Sequence, residues 1–279
     1  MSTAEPALIV DAVSHRFGDR PALDDCSFAV PAGSVTALVG RNGAGKTTVL
    51  RAAAGLLRPD RGTVTVLGGP FDDRTRPRIG YCSSLYPQLT VAETLRLGAR
   101  LNPGWDMQRA LDLAADLPPE ARVGTLAPGV RARLALAMAL GKRPDLLLLD
   151  EPLAALDPVA RAEAVSVLMG EAAARGTTVV LSTHAVADLA GVCDHVVVLD
   201  HGHVRAAVEV DAALAGHRLV NGATGDFAAL DGAEVVEVRR DETGFTALVR
   251  IGEAVPAGTL AWHHPSLEEL VLGYLRGRS

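Results

Sequence analysis

The sequence predicts an α/β fold with a mainly parallel central sheet. Short apolar runs alternate with segments of helical periodicity through most of the 279 residues, and this alternation is typical of parallel strands connected by helices. Two of the apolar runs lead into polar motifs, the glycine-rich segment 40–48 and the acidic pair Asp150-Glu151. Because open α/β sheets collect ligands at the carboxyl ends of their strands, we expect both motifs at one edge of the sheet.

Short strands are predicted in the first part of the chain. The apolar runs ALIVDAV, CSFAV and SVTALVG have the composition of strands and are separated by turn residues. A helix is predicted from about Lys46 to Gly55, because glycine commonly follows the last turn of a helix. The runs TVTVLGG and IGYC predict two further strands.

A helical subdomain is predicted at about residues 90–141. Three segments there, TVAETLRLGARL, DMQRALDLAADL and GVRARLALAMALG, are typical of helices. The tripeptide Leu117-Pro118-Pro119 interrupts the stretch, because proline breaks a helix interior.

Buried strands and helices alternate again after residue 145. The run LLLL before Asp150 predicts a parallel strand that is covered on both faces. Asp157-Pro158 predicts the start of a helix that runs towards Arg175, with the aspartate as N-cap. A strand (TTVVLST), a helix (VADLAGVC) and two closing strands (HVVVLD and HVRAAVEV) are expected to follow. The α/β domain is therefore predicted to end near Val210.

The remaining residues, 211–279, are predicted to form a small α+β extension. Residues 215–233 are rich in glycine and alanine and are interpreted as a linker. The segment VVEVRRDETGFTALVRI predicts a hairpin that turns at Glu242-Thr243-Gly244. Ser266 and Glu269 form a capping-box pattern that predicts the start of a last helix, LEELVLGYL.

Composition argues against several classes of function. The formal net charge of -6 disfavours a nucleic-acid partner. No apolar run approaches the ~18 residues that a membrane helix needs, and the first residues lack the basic and apolar regions of a signal peptide. We therefore expect a soluble chain. The three cysteines have no metal-clip spacing, fit a reducing compartment and are expected to be small buried apolar residues.

The strongest motif is the segment Gly40-Arg-Asn-Gly43-Ala-Gly45-Lys46-Thr47-Thr48, which fits the phosphate-loop pattern G-x-x-x-x-G-K-[ST]. It lies between a predicted strand and a predicted helix. The glycines let backbone amides approach phosphate oxygens, and the helix start adds a partial positive charge. Lys46 can reach the β- and γ-phosphates, and the Thr47 hydroxyl can bind Mg²⁺.

Two acids and a histidine accompany this loop. Asp150 ends an apolar strand, which suits a Mg²⁺ ligand, and Glu151 can polarise the attacking water. His184 follows the run TTVVLST, at the carboxyl end of another strand, where a γ-phosphate contact is expected. Such residues, when they occur singly, are often solvated acids or structural histidines. Their expected position at the same sheet edge as the phosphate loop favours a functional role. His201-Gly202-His203 is interpreted as a turn, and no metal is assigned to it.

Taken in order, four motifs resemble the nucleotide-binding domains of ABC transporters over about residues 7–210. They are GRNGAGKTT, LLLLDEP, Ala155-Leu156-Asp157 and Ser182-Thr183-His184. The resemblance implies a P-loop NTPase fold with a mainly parallel sheet, an N-terminal antiparallel β-subdomain and an α-helical subdomain. It assigns residues 1–210 to an ABC-type ATP-binding domain and residues 211–279 to a small C-terminal extension, similar to those of exporter-type ATPases.

The resemblance also implies roles for individual residues. ATP and Mg²⁺ are expected as cofactors, with Thr47 and Asp150 as metal ligands and Glu151 and His184 as catalytic residues. The residues implied to bind ATP are Phe17, Gly40, Asn42, Gly43, Ala44, Gly45, Lys46, Thr47, Thr48 and Asp150. Phe17 matches the aromatic that stacks on adenine, although an aromatic at a strand end also packs into cores. Two such domains dimerise head to tail, so that Gly129 contacts the partner's nucleotide and Asp157 lies at the dimer contact.

The sequence departs from the family pattern in two motifs. The signature, Leu-Ser-Gly-Gly-Gln in the family, is Leu126-Ala127-Pro128-Gly129-Val130 here, so the serine hydroxyl is missing at Ala127. The expected glutamine of a second loop is Ser84. The stretch Asn102-Pro103-Gly104-Trp105-Asp106 is similar to a bacterial ABC subgroup in which both motifs vary.

The expected function is that of an ATP-binding and ATP-hydrolysing subunit that energises transport, in the export direction, through a separate membrane permease. The implied partners are that permease and a second nucleotide-binding domain, as a homodimer or heterodimer, without nucleic acid. The chain is expected in the cytoplasm, peripheral on the inner face of the cell membrane. An alternative stays open, a nucleotide-gated regulatory ABC protein with slow hydrolysis and no transport role. A chromosome or DNA-repair ATPase is disfavoured because no long heptad coiled coil separates the nucleotide motifs.

Overall fold

The computed structural model describes residues 5–82, 85–189, 191–230, 232–251 and 260–277. Its strands are β1 (Pro6–Phe17), β2 (Arg20–Pro31), β3 (Val35–Gly40), β4 (Arg61–Val66), β5 (Gly69–Pro70), β6 (Ile79–Cys82), β7 (Leu146–Leu149), β8 (Thr178–Thr183), β9 (His195–Asp200), β10 (His203–Glu209), β11 (His217–Ala223), β12 (Glu234–Arg240), β13 (Gly244–Arg250) and β14 (Ala261–His263). Its α-helices are α1 (Lys46–Ala53), α2 (Val91–Leu101), α3 (Met107–Leu113), α4 (Pro128–Gly141), α5 (Pro158–Arg175), α6 (Val210–Gly216) and α7 (Leu267–Arg276).

The central sheet has six strands in the order β10-β9-β3-β8-β7-β6. All neighbouring pairs are parallel except β10 and β9. Leu146–Leu149 on β7 are completely buried, because helices and a second sheet cover the two faces of a parallel sheet. The predicted α/β fold with a mainly parallel sheet is confirmed.

A second sheet, in the order β2-β1-β4-β5, is antiparallel and forms the N-terminal part of the molecule. Its buried side chains share one apolar cluster with α1 and with one face of the central sheet, for example Leu8, Leu50 and Leu148. This cluster also includes Leu38, so the antiparallel β-subdomain packs with β3, the strand that precedes the phosphate loop.

Helices α2, α3 and α4 form a separate layer with its own apolar cluster. Thr90 and Glu93 make a capping box at the start of α2. The indole of Trp105 fills the space between two helices, since a Cβ atom on Gly98 would lie 2.4 Å from its Cη2 atom and one on Gly141 would lie 2.8 Å from it. The two glycines thus allow the close approach that this helical subdomain needs. Within the described segments, no helix has both the length and the apolar character to span a membrane.

The C-terminal part contains a third, antiparallel sheet in the order β12-β13-β11-β14. The interpretation of residues 215–233 as a linker is wrong, because β11 lies in that stretch and pairs with both β13 and β14. Its glycine and alanine residues suggested a linker, but Leu219 and Val220 are buried. The hairpin of β12 and β13 is confirmed, with the Asp241 side chain accepting hydrogen bonds from the turn amides of Thr243 and Gly244.

Helix α7 begins at the predicted capping box of Ser266 and Glu269. It packs against β9, β10 and β12, and its residues Leu270 and Val271 belong to the same apolar cluster as the central sheet. The helix predicted at VADLAGVC is wrong, because among the described residues of this segment Val186–Leu189 form a short 3-10 turn and the others are not helical. Helix α7 contacts this turn.

Candidate functional site

The loop between β3 and α1 is shaped by its glycines. Gly43 and Gly45 have positive φ angles of 82° and 108°, in a backbone region that side chains disfavour. A Cβ atom on Gly40 would lie 2.2 Å from the carbonyl oxygen of Leu199, and one on Gly45 would lie 2.6 Å from that of Ala22. The backbone therefore curls into a tight loop whose amides lie at the start of α1, as the phosphate-loop pattern predicts.

Lys46 begins α1 and its side chain folds back over this loop. Its Nζ atom donates to the carbonyl oxygens of Gly40, at 2.7 Å, and Arg41, at 3.3 Å, and the residue is 6% exposed. The same Nζ lies 3.4 Å from Oε1 of Glu151. The ammonium group is thus held in place by backbone oxygens before any phosphate arrives.

Thr47 and Asp150 come together across the sheet edge. The Thr47 hydroxyl donates to Oδ1 of Asp150 at 3.1 Å, although the residues are 103 positions apart. Both are oxygen ligands of the kind that Mg²⁺ prefers, and Mg²⁺ commonly takes its other ligands from phosphates and water. The described segments contain no group of three or more His, Cys, Asp or Glu side chains that could hold a metal ion alone. The donor set therefore fits a Mg²⁺ ion that binds together with a nucleotide.

Glu151 and His184 are also neighbours. Oε2 of Glu151 lies 2.9 Å from Nδ1 of His184, which extends from the end of β8. Glu151 has a positive φ of 50°, which is uncommon for a residue with a side chain. No sequence pattern predicts this backbone conformation. The conformation turns the Glu151 carboxylate towards His184 and Lys46.

A cavity of 480 Å³ lies over the phosphate loop, within the usual size range of ligand pockets. It is lined by Phe17, Arg20, Pro21, Ala22, Asn42, Gly43, Ala44, Gly45, Lys46, Thr47, Thr48 and Glu151. Phe17 is 53% exposed, so its ring is available to a ligand and is not a core residue. Arg20 was missed in the sequence, because only the closeness of β1 and β2 brings it to the cavity.

The signature residues lie elsewhere in the fold. Ala127 is the N-cap of α4, makes no side-chain cap and is exposed, and Gly129 follows in the first turn. Asp157 is the N-cap of α5 and accepts from the amides of Val159 and Ala160. Neither Gly129 nor Asp157 lines the cavity over the phosphate loop. Ser84 lies outside the described residues.

Cys26 and Cys193 are buried free thiols. Burial raises the pKa of the Cys26 thiol to about 12 and that of Cys193 to about 11. Both thiols stay protonated and act as small apolar side chains. The side chain of Cys82 lies outside the described part of the chain.

The sequence and the fold are similar to those of known ATP-binding proteins. The sequence matches the ABC transporter family over residues 23–154. The Nod factor export ATP-binding protein I of Burkholderia orbicola is 37% identical over 204 residues, which cover 68% of this chain. The aliphatic sulfonates import ATP-binding protein SsuB of Corynebacterium glutamicum is 35% identical over 214 residues, which cover 74% of this chain and 86% of that protein. A solved structure of an ATP-binding subunit of an ABC transporter is similar with a TM-score of 0.67 and 29% identity, over 74% of this chain and 91% of that one.

A phosphate loop and two acids on a mainly parallel sheet define a P-loop nucleotide-binding protein. More particularly, the chain belongs to the ATP-binding proteins of the ABC transporter family. It spans 66% of the length of the Burkholderia relative.

Proposed function

We propose that this chain hydrolyses ATP to energise transport, in the export direction, through a separate membrane permease. The observation that supports the hydrolysis in this proposal is the pair of contacts to Glu151, with His184 2.9 Å from one carboxylate oxygen and Lys46 3.4 Å from the other. A general base that lies between a phosphate-binding cation and a histidine is suited to act on water beside a terminal phosphate.

Each residue has a distinct role in this proposal. The amides of the phosphate loop and Lys46 bind the phosphates, and Phe17 offers its exposed ring to adenine. Thr47 and Asp150 hold Mg²⁺, which when bound neutralises charge on the phosphate oxygens. Glu151 orients the attacking water and accepts its proton, and His184 fixes the direction of the Glu151 carboxylate.

The proposal includes a second nucleotide-binding domain, as a homodimer or heterodimer. Support comes from Ala127, Pro128 and Asp157, which are exposed and therefore accessible to a partner. Gly129, in the first turn of the 14-residue helix α4, adds backbone amides that can contact an anion on that partner. In this arrangement one chain supplies Lys46 and Glu151, and the other supplies Gly129.

The permease is proposed to bind in a groove between the helical subdomain and the sheet. The groove has a volume of 450 Å³. Large apolar side chains at its rim are exposed to solvent, namely Leu56 (63%), Tyr86 (58%) and Leu101 (69%). Apolar side chains that cluster on a surface favour a protein partner. This location would place the chain on the inner face of the cell membrane.

The two relatives named above differ in transport direction, since one is an export protein and the other an import protein. The missing hydroxyl at Ala127 favours a second candidate, a nucleotide-gated regulatory protein with slow hydrolysis and no transport role. A membrane partner that raises the rate of phosphate release would favour the transporter.

The test compares phosphate release and ATP binding by the parent, Glu151→Gln and Lys46→Ala, alone and with the co-expressed permease. Glu151→Gln should bind ATP normally, accumulate as an ATP-bound dimer and hydrolyse about 10²- to 10⁴-fold more slowly, the usual contribution of a general base. Lys46→Ala should lose ATP binding, because it removes the cation that contacts the phosphates. Glu163→Gln, an exposed change on α5, is the matched control. If Glu151→Gln in the assembled complex hydrolysed ATP at the rate of the parent, the general base would be a residue other than Glu151.

A further inference from the structure

Ser182 lies on β8, the strand between β3 and β7, and is completely buried. Its hydroxyl accepts a hydrogen bond from the backbone amide of Glu151 at 2.8 Å. The same hydroxyl donates to Oδ1 of Asp150 at 2.9 Å. One side chain therefore contacts both acids, and a hydroxyl can do this because it is donor and acceptor at once.

The two contacts of Ser182 have different effects on the acids. Oδ1 of Asp150 also accepts from Thr47, so two hydroxyl groups fix the rotation of this carboxylate. The contact to Glu151 is with its backbone, at the residue whose φ angle is positive. An anchor on the amide of such a residue holds it in a conformation that it otherwise disfavours.

The neighbouring hydroxyl does not share this role. Thr183 accepts from the amide of Ala185 at 2.9 Å and so shapes the turn that contains His184. Ser182 contacts both Asp150 and Glu151 from this strand end, whereas His184 contacts the Glu151 carboxylate. Ser182 belongs to the motif Ser182-Thr183-His184, but its contacts with Asp150 and Glu151, which follow β7, are visible only once β8 is known to lie beside that strand.

We propose that Ser182 is a positioning residue, which fixes the orientation of the metal-binding carboxylate of Asp150 and the backbone conformation of the general base Glu151. The inference rests on the proposed function, because it concerns the same site. Without the hydroxyl, the Glu151 amide loses its partner and Asp150 keeps only the contact to Thr47. Both acids then sample more orientations, and each becomes less effective.

The test compares Ser182→Ala with the parent and with Ser34→Ala. Ser34 is a matched control because it is also buried and its hydroxyl donates to the Pro31 carbonyl oxygen at 2.8 Å. It lies immediately before β3, at the opposite end of that strand from the phosphate loop. Binding of a fluorescent ATP analogue is titrated in EDTA and then with increasing Mg²⁺. Steady-state phosphate release and the thermal midpoint are measured on the same preparations.

Ser182→Ala should bind the analogue in EDTA like the parent but need about tenfold more Mg²⁺ to reach half of the Mg²⁺-dependent gain in affinity. Its kcat should fall about ten- to a hundredfold with KM nearly unchanged, as expected for a lost hydrogen bond to a charged group. Ser34→Ala should change neither value. The proposal would be overturned if Ser182→Ala needed the same Mg²⁺ concentration as the parent for half of this gain, or if Ser34→Ala showed an equal shift. A parent that binds but does not hydrolyse ATP would instead contradict the proposed function, and the Mg²⁺ titration would still decide the role of Ser182.

Discussion

The Nδ1 atom of His184 lies 2.9 Å from Oε2 of Glu151, while Oε1 of the same carboxylate lies 3.4 Å from Nζ of Lys46. Lys46 begins α1, Glu151 follows β7 and His184 follows β8. The carboxylate is therefore restrained from both sides and points into the space above the phosphate loop. His184 and Lys46 therefore restrain different oxygens of the Glu151 carboxylate, and their substitution should have different effects on hydrolysis and on ATP binding.

Replacement of His184 by alanine should lower kcat about ten- to a hundredfold, because one hydrogen bond to a charged group is lost near the general base. ATP affinity should change little, since Lys46 and the loop amides remain. Steady-state phosphate release and equilibrium ATP binding measure the two effects. His201→Ala is the control, because that side chain is 81% exposed in the turn after β9. A loss of ATP affinity as large as the loss of kcat would show that His184 mainly binds substrate.

The signature variant Ala127→Ser should speed hydrolysis by the purified chain. Position 127 is the N-cap of α4, where a serine oxygen can accept from the helix amides while its proton faces the nucleotide of a partner. A recovered hydrogen bond to a charged group, worth roughly 1.5–3 kcal/mol, corresponds to about one to two decades in rate. In a heterodimer with an ordinary partner, the defect would be confined to one of the two sites.

Phosphate release at saturating Mg-ATP, parent against Ala127→Ser, is the measurement. The cap itself should also raise the thermal midpoint, so stability is followed in parallel. A rapid parent rate that the substitution leaves unchanged would show that Gly129 and the start of α4 suffice.

Packing in the helical subdomain predicts opposite outcomes for two glycine-to-alanine changes. Gly98→Ala should destabilise the protein by about 1–3 kcal/mol, because its Cβ would overlap the Trp105 ring in a packed layer. Gly170→Ala, in the middle of α5 with open space around it, should stabilise by up to about 1 kcal/mol through helix propensity. Urea denaturation measures both. A stabilising Gly98→Ala would mean that the indole moves aside freely.

The buried His217 predicts lower stability in mild acid. Its Nδ1 atom donates to the Ala213 carbonyl oxygen at 2.7 Å and its Nε2 accepts from the Tyr274 hydroxyl at 3.0 Å. Burial lowers the pKa of this histidine from its usual 6.5, with the nearby Arg250 acting in the same direction. The unfolded chain therefore binds the proton more readily, so stability is fully present above about pH 6.5 and declines below it.

Thermal midpoints at pH 7.5 and 5.5 test this for the parent and His217→Gln, which keeps a polar side chain but does not titrate. The parent should lose more stability than the variant on acidification. The control is His203→Gln, since His203 is 46% exposed. An equal loss in parent and His217→Gln would place the acid sensitivity in other groups.

Local sequence was sufficient to predict the phosphate loop, because its glycines, Lys46 and Thr47 lie in one short segment and their spacing is set by the loop itself. It also placed Asp150 and His184 at strand ends, since apolar runs of buried parallel strands are easily recognised. The contacts among these residues depended on strand order, which periodicity does not contain. The role of Ser182 follows from the pairing of β7 with β8, and so could not be predicted.

The errors have a common physical origin. The glycine- and alanine-rich composition of residues 215–233 predicts a linker, yet the pairing of β11 with β13 and β14 overrides local composition. Within the described part of the helix predicted after His184, Val186–Leu189 form a 3-10 turn. This turn contacts α7, a tertiary contact that local periodicity does not contain. Roles that require a partner chain, such as those of Gly129 and Asp157, stay predictions.

Helix α7 lies against the turn that follows His184, and its Leu270 and Val271 are buried in the core of the central sheet. A shortened protein that stops at Val210 would leave Leu189, Val196 and Val198 without this apolar cover. Such a fragment would be prone to self-association, and its histidine-bearing turn would lose mechanical support. Helix α7 is therefore part of the packed core of the protein, and tags or fusions are better attached beyond α7 than in place of it.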